Sequence, residues 1–199
     1  MPKAINKLSY KIVLLLFICN SYYSVNSKAQ IDAKADPFSI ILNSPKVSAE
    51  YIFTENLSIE GLVGFDYGRR YKLDEEQVLG FSIAIEPRLY LRQKKVADRF
   101  FLAAYFKYAY LSYKPYENQN LSENFTNSKA VYGFLTGYKW LNDSGFLIEV
   151  KIGFGRFLFN EYENSNGNSF TIANNKYDGI ANVLIGYRLY KNKNNSKSE

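Results

Sequence analysis

Apolar and polar residues alternate with a period of two along most of this chain. Between residues 146 and 154 every second side chain is apolar, and the same alternation recurs at 57–67, 81–91, 130–140 and 181–189. No long stretch of the sequence has the 3.6-residue period of an amphipathic helix. Because successive side chains of a strand point to opposite faces, this pattern predicts β-strands with one apolar and one polar face.

Eight strands are predicted, at residues 32–42, 46–53, 57–67, 79–91, 100–112, 130–141, 146–158 and 179–190. Pro37 interrupts the first of them, and proline belongs at strand edges or starts. Short connections (54–56, 92–98, 142–145) alternate with long ones (68–78, 113–129, 159–178), and 43–45 is the exception. This layout is typical of membrane barrels. We therefore expect an all-β fold, an eight-stranded antiparallel up-and-down transmembrane β-barrel.

Alternation alone also fits a soluble β-sandwich or lipocalin-like barrel, whose apolar face points inward. Three further features favour a membrane barrel. Several strands reach the roughly 9–11 residues that a tilted strand needs to cross a bilayer. The polar face contains many small residues, which fit a narrow barrel interior. Aromatic residues fall near both expected membrane boundaries: Tyr138, Trp140, Tyr187 and Tyr190 on one side, and Tyr67, Tyr108, Tyr110 and Phe157 on the other.

The polar face also carries charges of both signs. They are Glu50, Glu60, Glu86, Arg88, Lys107, Lys139, Glu149, Lys151 and Arg188. Buried charges must be paired, so we expect these residues to form a lumenal charge network that fills the barrel. A solvated face could show the same balance of charge. The neighbours Glu86 and Arg88, or Glu149 and Lys151, could instead belong to a path for protons or ions.

The N-terminus has the three parts of a secretory signal peptide. A basic segment precedes an apolar run at 12–19, and a small-x-small cleavage site ends at Ala29. That run is far shorter than the roughly 18 residues of a membrane-spanning helix. Cys19 raises a lipoprotein alternative, but Phe17 and Ile18 stand where a lipobox has small residues. We expect a signal peptide at 1–29, an outer-membrane barrel at 30–190 and a polar tail at 191–199.

Composition and charge limit the partners and the reactions that this chain can have. The expected signal peptide holds four of the 25 basic residues and none of the 19 acidic ones, so the net charge of +6 falls to +2 without it. That balance gives no reason to expect a nucleic-acid partner. The chain has no His and one Cys, which excludes a histidine base, a Ser–His nucleophile and a His-ligated metal. We therefore expect no enzyme activity, catalytic residue, cofactor or metal.

The long connections are the remaining candidate sites. Residues 113–129 and 160–178 are rich in Asn, Ser and Tyr, which form adaptable recognition surfaces but also ordinary solvated loops. The acidic run Asp74, Glu75 and Glu76 could bind a hard cation that bridges lipopolysaccharide phosphates. Plain exposed charge is the simpler explanation of the same run, and we favour it.

Several short runs share glycine–aromatic or charged–apolar alternation. They are Ala49-Glu50-Tyr51, Leu57-Ser58-Ile59-Glu60-Gly61, Gly137-Tyr138-Lys139-Trp140, Ile152-Gly153-Phe154-Gly155 and Ile185-Gly186-Tyr187-Arg188-Leu189. These runs resemble small single-domain outer-membrane β-barrel proteins of Gram-negative bacteria, an uncharacterised family with OmpA-like transmembrane barrel architecture. The resemblance covers about residues 36–190. It implies insertion by the outer-membrane barrel assembly machinery, periplasmic termini and extracellular long loops. Such barrels commonly end on an aromatic residue, whereas nine residues follow Tyr190 here.

Three functions stay open at this point. We expect a non-enzymatic integral outer-membrane protein, in contact with lipid and lipopolysaccharide, with a structural or loop-mediated interaction role in the cell envelope. The first alternative is a minor channel for small solutes or ions, although eight strands leave an interior just wide enough for side chains. The second alternative is a secreted β-barrel that binds an apolar ligand.

Overall fold

The computed structural model describes residues 30–189 except 71–75, 92, 115–123, 168 and 172–175. The expected signal peptide (1–29) and polar tail (191–199) lie outside the described residues. In chain order the elements are β1 (Gln30–Asp36), α1 (Pro37–Ile41), β2 (Lys46–Ile52), β3 (Leu57–Arg70), β4 (Glu76–Leu91), β5 (Arg99–Lys114), β6 (Phe125–Leu141), β7 (Phe146–Asn164), β8 (Ser169–Thr171) and β9 (Tyr177–Arg188). Among these residues, no helix is long and apolar enough to span a membrane.

Eight of these strands form a closed antiparallel ring. β1 to β7 follow one another around the ring, β9 pairs with β7, and β9 closes the ring by pairing with β1. The short β8 adds to the outer part of β7 at Glu161–Glu163. The expected eight-stranded up-and-down barrel is therefore confirmed. We call the end with the turns at 53–56, 93–98 and 142–145 the short-turn end, and the opposite end the loop end.

Side chains alternate between the interior and the outer surface of the ring. In β4 the charged residues Glu86 and Arg88 are buried, whereas Ile83 and Ile85 are exposed. The outer surface is apolar and the interior is largely polar, which inverts the arrangement of a soluble protein.

The first predicted strand, at 32–42, is wrong beyond Asp36. The chain turns there into α1, because the Asp36 carboxylate accepts hydrogen bonds from the backbone N–H groups of Phe38 (3.1 Å) and Ser39 (3.2 Å). Pro37 occupies the first helical turn, where its missing N–H costs nothing. The connection between β1 and β2 therefore runs from 37 to 45. It lies at the loop end, so the apparent exception to the alternation of short and long connections disappears.

The wall of the barrel is uneven in height. β1 and β2 have 7 residues each, whereas β3 to β7 have 14 to 19. The predicted long connections at 68–78, 113–129 and 159–178 are correspondingly too long, because the ladders continue into polar sequence. The seam between β1 and β9 is short, with register pairs from Asp32↔Arg188 to Ala35↔Ile185. The loop end is therefore high along β3 to β7 and low at β1 and β2.

Candidate functional site

Ten charged side chains meet inside the barrel, and we call them the ion-pair network. They are Asp32, Lys34, Glu50, Glu60, Glu86, Arg88, Lys139, Glu149, Lys151 and Arg188, and none is more than 5% exposed. Five are acidic and five are basic, so the network is neutral. Within the described residues, β5 is the one barrel strand that contributes no member. The alternation of each strand turns these side chains inward, where the ring brings them together.

Glu50 on β2 is the most connected member. Its Oε2 accepts hydrogen bonds from Lys34 Nζ at 2.7 Å, Lys139 Nζ at 2.5 Å and an Arg88 guanidinium nitrogen at 3.2 Å. The same carboxylate therefore balances three cations from three different strands. Such charge-assisted contacts are the strong class of hydrogen bond.

The other oxygen of Glu50 is also fully engaged. Its Oε1 accepts from the hydroxyl groups of Ser58 at 2.6 Å and Tyr90 at 2.7 Å. A buried carboxylate is tolerated only when its oxygens are paired and hydrogen-bonded. The geometry of Glu50 meets that condition with protein groups alone.

Three carboxylates in the network resemble a metal site. Oxygens of Glu50, Glu60 and Glu149 lie within 4.8 Å of one another. However, Lys34 Nζ lies between them, 2.7 Å from Glu50 and 2.8 Å from Glu149, and also pairs with Glu60. The ammonium group already supplies the positive charge that a bound cation would bring, so this cluster does not fit a metal ion.

The network extends toward both ends of the barrel. Lys151 binds both oxygens of Glu86 at 2.8 Å, and Arg88 donates to Glu86 at 2.6 Å. Toward the short-turn end, Arg188 binds Asp32 through two contacts of 2.6 and 2.9 Å. The Arg188–Asp32 pair joins the last strand of the barrel to the first, and so it reinforces the short seam between β9 and β1.

An apolar cluster lies beside the network inside the barrel. Tyr90 and Phe101 are fully buried there, with Ile52 and Leu135 beside them. The Arg88 guanidinium carbon lies 4.4 Å from the centre of the Phe101 ring, a favourable cation–π geometry. The ion-pair network and this apolar cluster therefore share the interior of the ring.

The turn at 93–98 folds over the short-turn end. Ala97 is fully buried, and the Asp98 carboxylate accepts hydrogen bonds from the backbone of Lys94 and Lys95, both at 2.8 Å. Arg188 donates to the carbonyl oxygen of Val96 at 2.7 Å. The last strand therefore holds this turn across the mouth of the barrel.

The structure places the predicted lumenal charges as follows. Eight of the nine belong to the ion-pair network, whereas Lys107 lies nearer the loop end and pairs with Asp178 at 2.5 Å. Asp32 and Lys34 were missed. They alternate with Ala33 and Ala35, so the period-two pattern was present, but alanine gave no strong apolar face to reveal it.

A cavity of about 230 Å³ lies on the loop side of the network. Side chains of both signs line it, and Glu86 forms part of its wall. Of the other candidate sites, 74–75 and 115–123 lie outside the described residues. Asn160 belongs to β7 rather than to a loop, and its side-chain oxygen accepts from the Asn127 amide at 2.7 Å.

Comparisons with known proteins agree with this architecture. A crystal structure of a major outer membrane protein from Thermus thermophilus is similar, with a TM-score of 0.52 at 11% identity, and the match covers 81% of this chain and 100% of that one. At that identity the likeness shows a shared fold. No curated protein matches the chain. The family described as "Protein of unknown function (DUF3575)" matches residues 11–186. Since this match spans most of the sequence, the chain belongs to the DUF3575 family.

Proposed function

We propose that this chain is an integral outer-membrane protein whose barrel spans the bilayer. The outward apolar side chains support this placement: Phe134 is 76% exposed, Ile152 64% and Phe154 61%. Soluble proteins rarely expose contiguous apolar surface on this scale. A closed ring also satisfies its backbone internally, as a lipid environment demands. The fold shared with the major outer membrane protein from Thermus thermophilus supports the same location.

The orientation follows from the two ends. Trp140 and Tyr187 lie on the outer surface at the short-turn end, and Tyr67 and Tyr177 lie toward the loop end, as interfacial aromatic belts do. Because β1 begins and β9 ends at the short-turn end, both termini would face the periplasm of a Gram-negative cell. The loops would then face outward among lipopolysaccharide, after insertion by the barrel assembly machinery.

The sealed interior favours a non-enzymatic role. One observation carries this proposal: the neutral ten-residue network and the apolar cluster beside it are buried in the lumen between the short-turn end and the cavity. Because unpaired charges are costly in such a place, the paired arrangement resists opening. The barrel therefore serves as a closed anchor that displays its loops, with a structural or interaction role in the envelope.

A minor channel is the second candidate. The cavity at the loop end favours it, because solute could enter that far before meeting Glu86 and the network. Planar-bilayer recordings of the purified protein separate the two candidates. A silent bilayer supports the closed anchor. Discrete conductance steps that vanish on heat denaturation would overturn the sealed lumen and favour the channel.

Heat modifiability tests the membrane placement itself. The protein from envelope fractions is run on a denaturing gel with and without boiling, after extraction with carbonate or with detergent. We expect a mobility difference and a requirement for detergent, because a closed barrel resists denaturation. Release by carbonate without any mobility difference would contradict the proposal and would indicate a soluble barrel.

A further inference from the structure

The upper part of β9 has a free edge. Its ladder with β1 ends at Ala35↔Ile185, and among the described residues no strand pairs with 177–184 on that side. On the other side, Ala181 pairs with Ile152 and Gly179 with Phe154, two of the most exposed apolar residues of β7. The free edge therefore lies at the depth of the apolar band, where unsatisfied backbone groups are costly.

Helix α1 lies across this gap, since it packs against β9 and β2. The outward side of the helix and of its C-cap residue is strongly apolar, with Ile41 77% and Leu42 76% exposed. A few polar contacts hold it in place: the Asn182 amide donates to the Asp36 carboxylate at 2.8 Å, and the Lys46 backbone donates to the Ser39 hydroxyl at 2.9 Å. A five-residue helix is thus the wall between the lipid-facing surface and the interior.

The loop-end cavity lies next to the segment that follows α1. Four consecutive residues of β9, from 179 to 182, line it together with Ser44 and Lys46. Both inward- and outward-facing positions of this strand therefore contribute to the wall, as expected where a cavity reaches the free edge of a strand. No atom lies within 4 Å of a Cβ built on Gly179, so the outer side of the edge beside α1 is also open.

The cavity has the polarity of a zwitterion site. Lys46, Lys107 and Lys129 bring three cations to its wall. Outside the neutral network, three carboxylates stand beside them: Asp66 lines the cavity, Asp178 pairs with Lys107, and Asp36 binds the cavity-lining Asn182. A ligand with net charge would therefore remain uncompensated, whereas a ligand with one charge of each sign would not.

A buried hydroxyl without a partner and the size of the cavity both fit the binding of a small polar group. Ser48 is buried on β2, and its hydroxyl has no hydrogen-bond partner among the described residues. Its register partner Leu62 lines the cavity. The volume of about 230 Å³ equals that of about eight waters in the liquid, which suits a phosphoethanolamine-sized group.

We propose that this cavity binds the headgroup of a zwitterionic phospholipid, whose acyl chains leave the barrel between α1 and the free edge of β9. The headgroup would bring acceptors to the lysines and to the β9 backbone N–H groups, and an ammonium donor to the carboxylates. The chains would lie against the apolar outer side of α1. This inference rests on the membrane placement proposed above.

The test measures lipid binding to the full-length folded protein in maltoside micelles by native mass spectrometry. The probes are phosphatidylethanolamine, phosphatidylglycerol, lipopolysaccharide and free phosphoethanolamine. We expect one phosphatidylethanolamine per barrel, bound about tenfold more tightly than either anionic lipid, because an anion leaves a buried charge uncompensated. Free phosphoethanolamine should bind far more weakly, since it lacks the chains that pack on α1.

Matched variants locate the site. Lys107→Met/Asp178→Asn removes an ion pair beside the cavity, and Lys95→Met/Asp143→Asn removes an ion pair of the same length, 2.5 Å, at the short-turn end. The first double variant should weaken phosphatidylethanolamine binding about tenfold, as loss of charged contacts does, and the second should not. Ala181→Trp should also block binding by filling the outer side of the gap.

Each result decides between this inference and its alternatives. Equal binding of phosphatidylglycerol, or tighter binding of lipopolysaccharide, overturns the zwitterion site. Equal binding of free phosphoethanolamine overturns the lipid route through the wall. If the two double variants change phosphatidylethanolamine binding equally, the bound lipid is annular lipid only, and the proposed site is overturned. If the wild-type chain is heat-modifiable but binds no lipid specifically, this inference alone fails, whereas loss of heat modifiability overturns the membrane placement as well.

Discussion

Replacing Glu50 with glutamine should strongly destabilise the barrel. The carboxylate faces Lys34, Lys139 and Arg88 through one oxygen. A glutamine at this position would keep the shape of the side chain but remove its charge. The three cations would then share fewer anions, and the network of five acids and five bases would carry a net charge of +1.

The expected loss follows from complete burial. Glu50 is 0% exposed, so solvent cannot screen the charge that remains. Breaking a buried ion pair by removing one partner costs about 3–5 kcal/mol. That is a large part of the roughly 5–15 kcal/mol by which a typical domain is stable.

The assay is urea unfolding in lipid vesicles, followed through the fluorescence of Trp140, the only tryptophan of the chain. Glu55→Gln is the matched control, because it makes the same chemical change in the exposed turn at 53–56. The control should leave the unfolding midpoint unchanged. A second variant, Glu50→Gln/Lys139→Met, restores neutrality and should recover part of the loss, as coupled pairs do in double-mutant cycles.

The reasoning is refuted if Glu50→Gln shifts the midpoint no more than Glu55→Gln does. That result would mean that water reaches the network and screens it. An additive loss in the Glu50→Gln/Lys139→Met variant would contradict the direct coupling between these two side chains.

Two further predictions use matched pairs. Ile152→Lys, on the exposed apolar face, should impair vesicle insertion by about 2–4 kcal/mol. Ser82→Lys, on the wall of the polar cavity, should impair insertion far less. Equal yields of heat-modifiable protein from the two variants would show that the two faces are assigned the wrong way round. Gly137→Ala should lower the unfolding midpoint, since its Cβ would lie 2.5 Å from the Phe101 ring and overpacking costs about 1–3 kcal/mol. Gly61→Ala meets nothing within 4 Å, so a loss of equal size there would indicate a general effect of glycine replacement.

The barrel could be predicted because alternation is a property of neighbouring residues. The strands from β3 to β7 carry large apolar side chains at every second position, and each was located within a few residues at its short-turn end. At the loop end the same strands run further than expected. The ladder hydrogen bonds continue there through residues such as Asn127 and Glu163, whose polarity hides them among loop residues.

The residue at which β1 ends could not be predicted from the alternation of apolar and polar residues. Pro37 fits an edge strand and a helix start equally well. The Asp36 carboxylate decides between them by capping α1, and it can do so because Asn182 of β9 holds it from the far end of the chain. The partners of the lumenal charges were also hidden, because they too depend on contacts between distant strands. The alternation places Lys107 on the same inward face as the network residues, but the strand register gives it Asp178 as its partner.

The ion-pair network also constrains the order in which the barrel can form. Lys139 and Asp32 are separated by 107 residues, Lys34 and Glu149 by 115, and Arg188 and Asp32 by 156. A hairpin or half-barrel therefore contains charges whose partners have not yet arrived, and such charges retain their water. Nonlocal pairing of this kind is intrinsically slow. The network is therefore complete only when the last strand meets the first, and a chain truncated before Arg188 would lack the ion pair that joins these two strands.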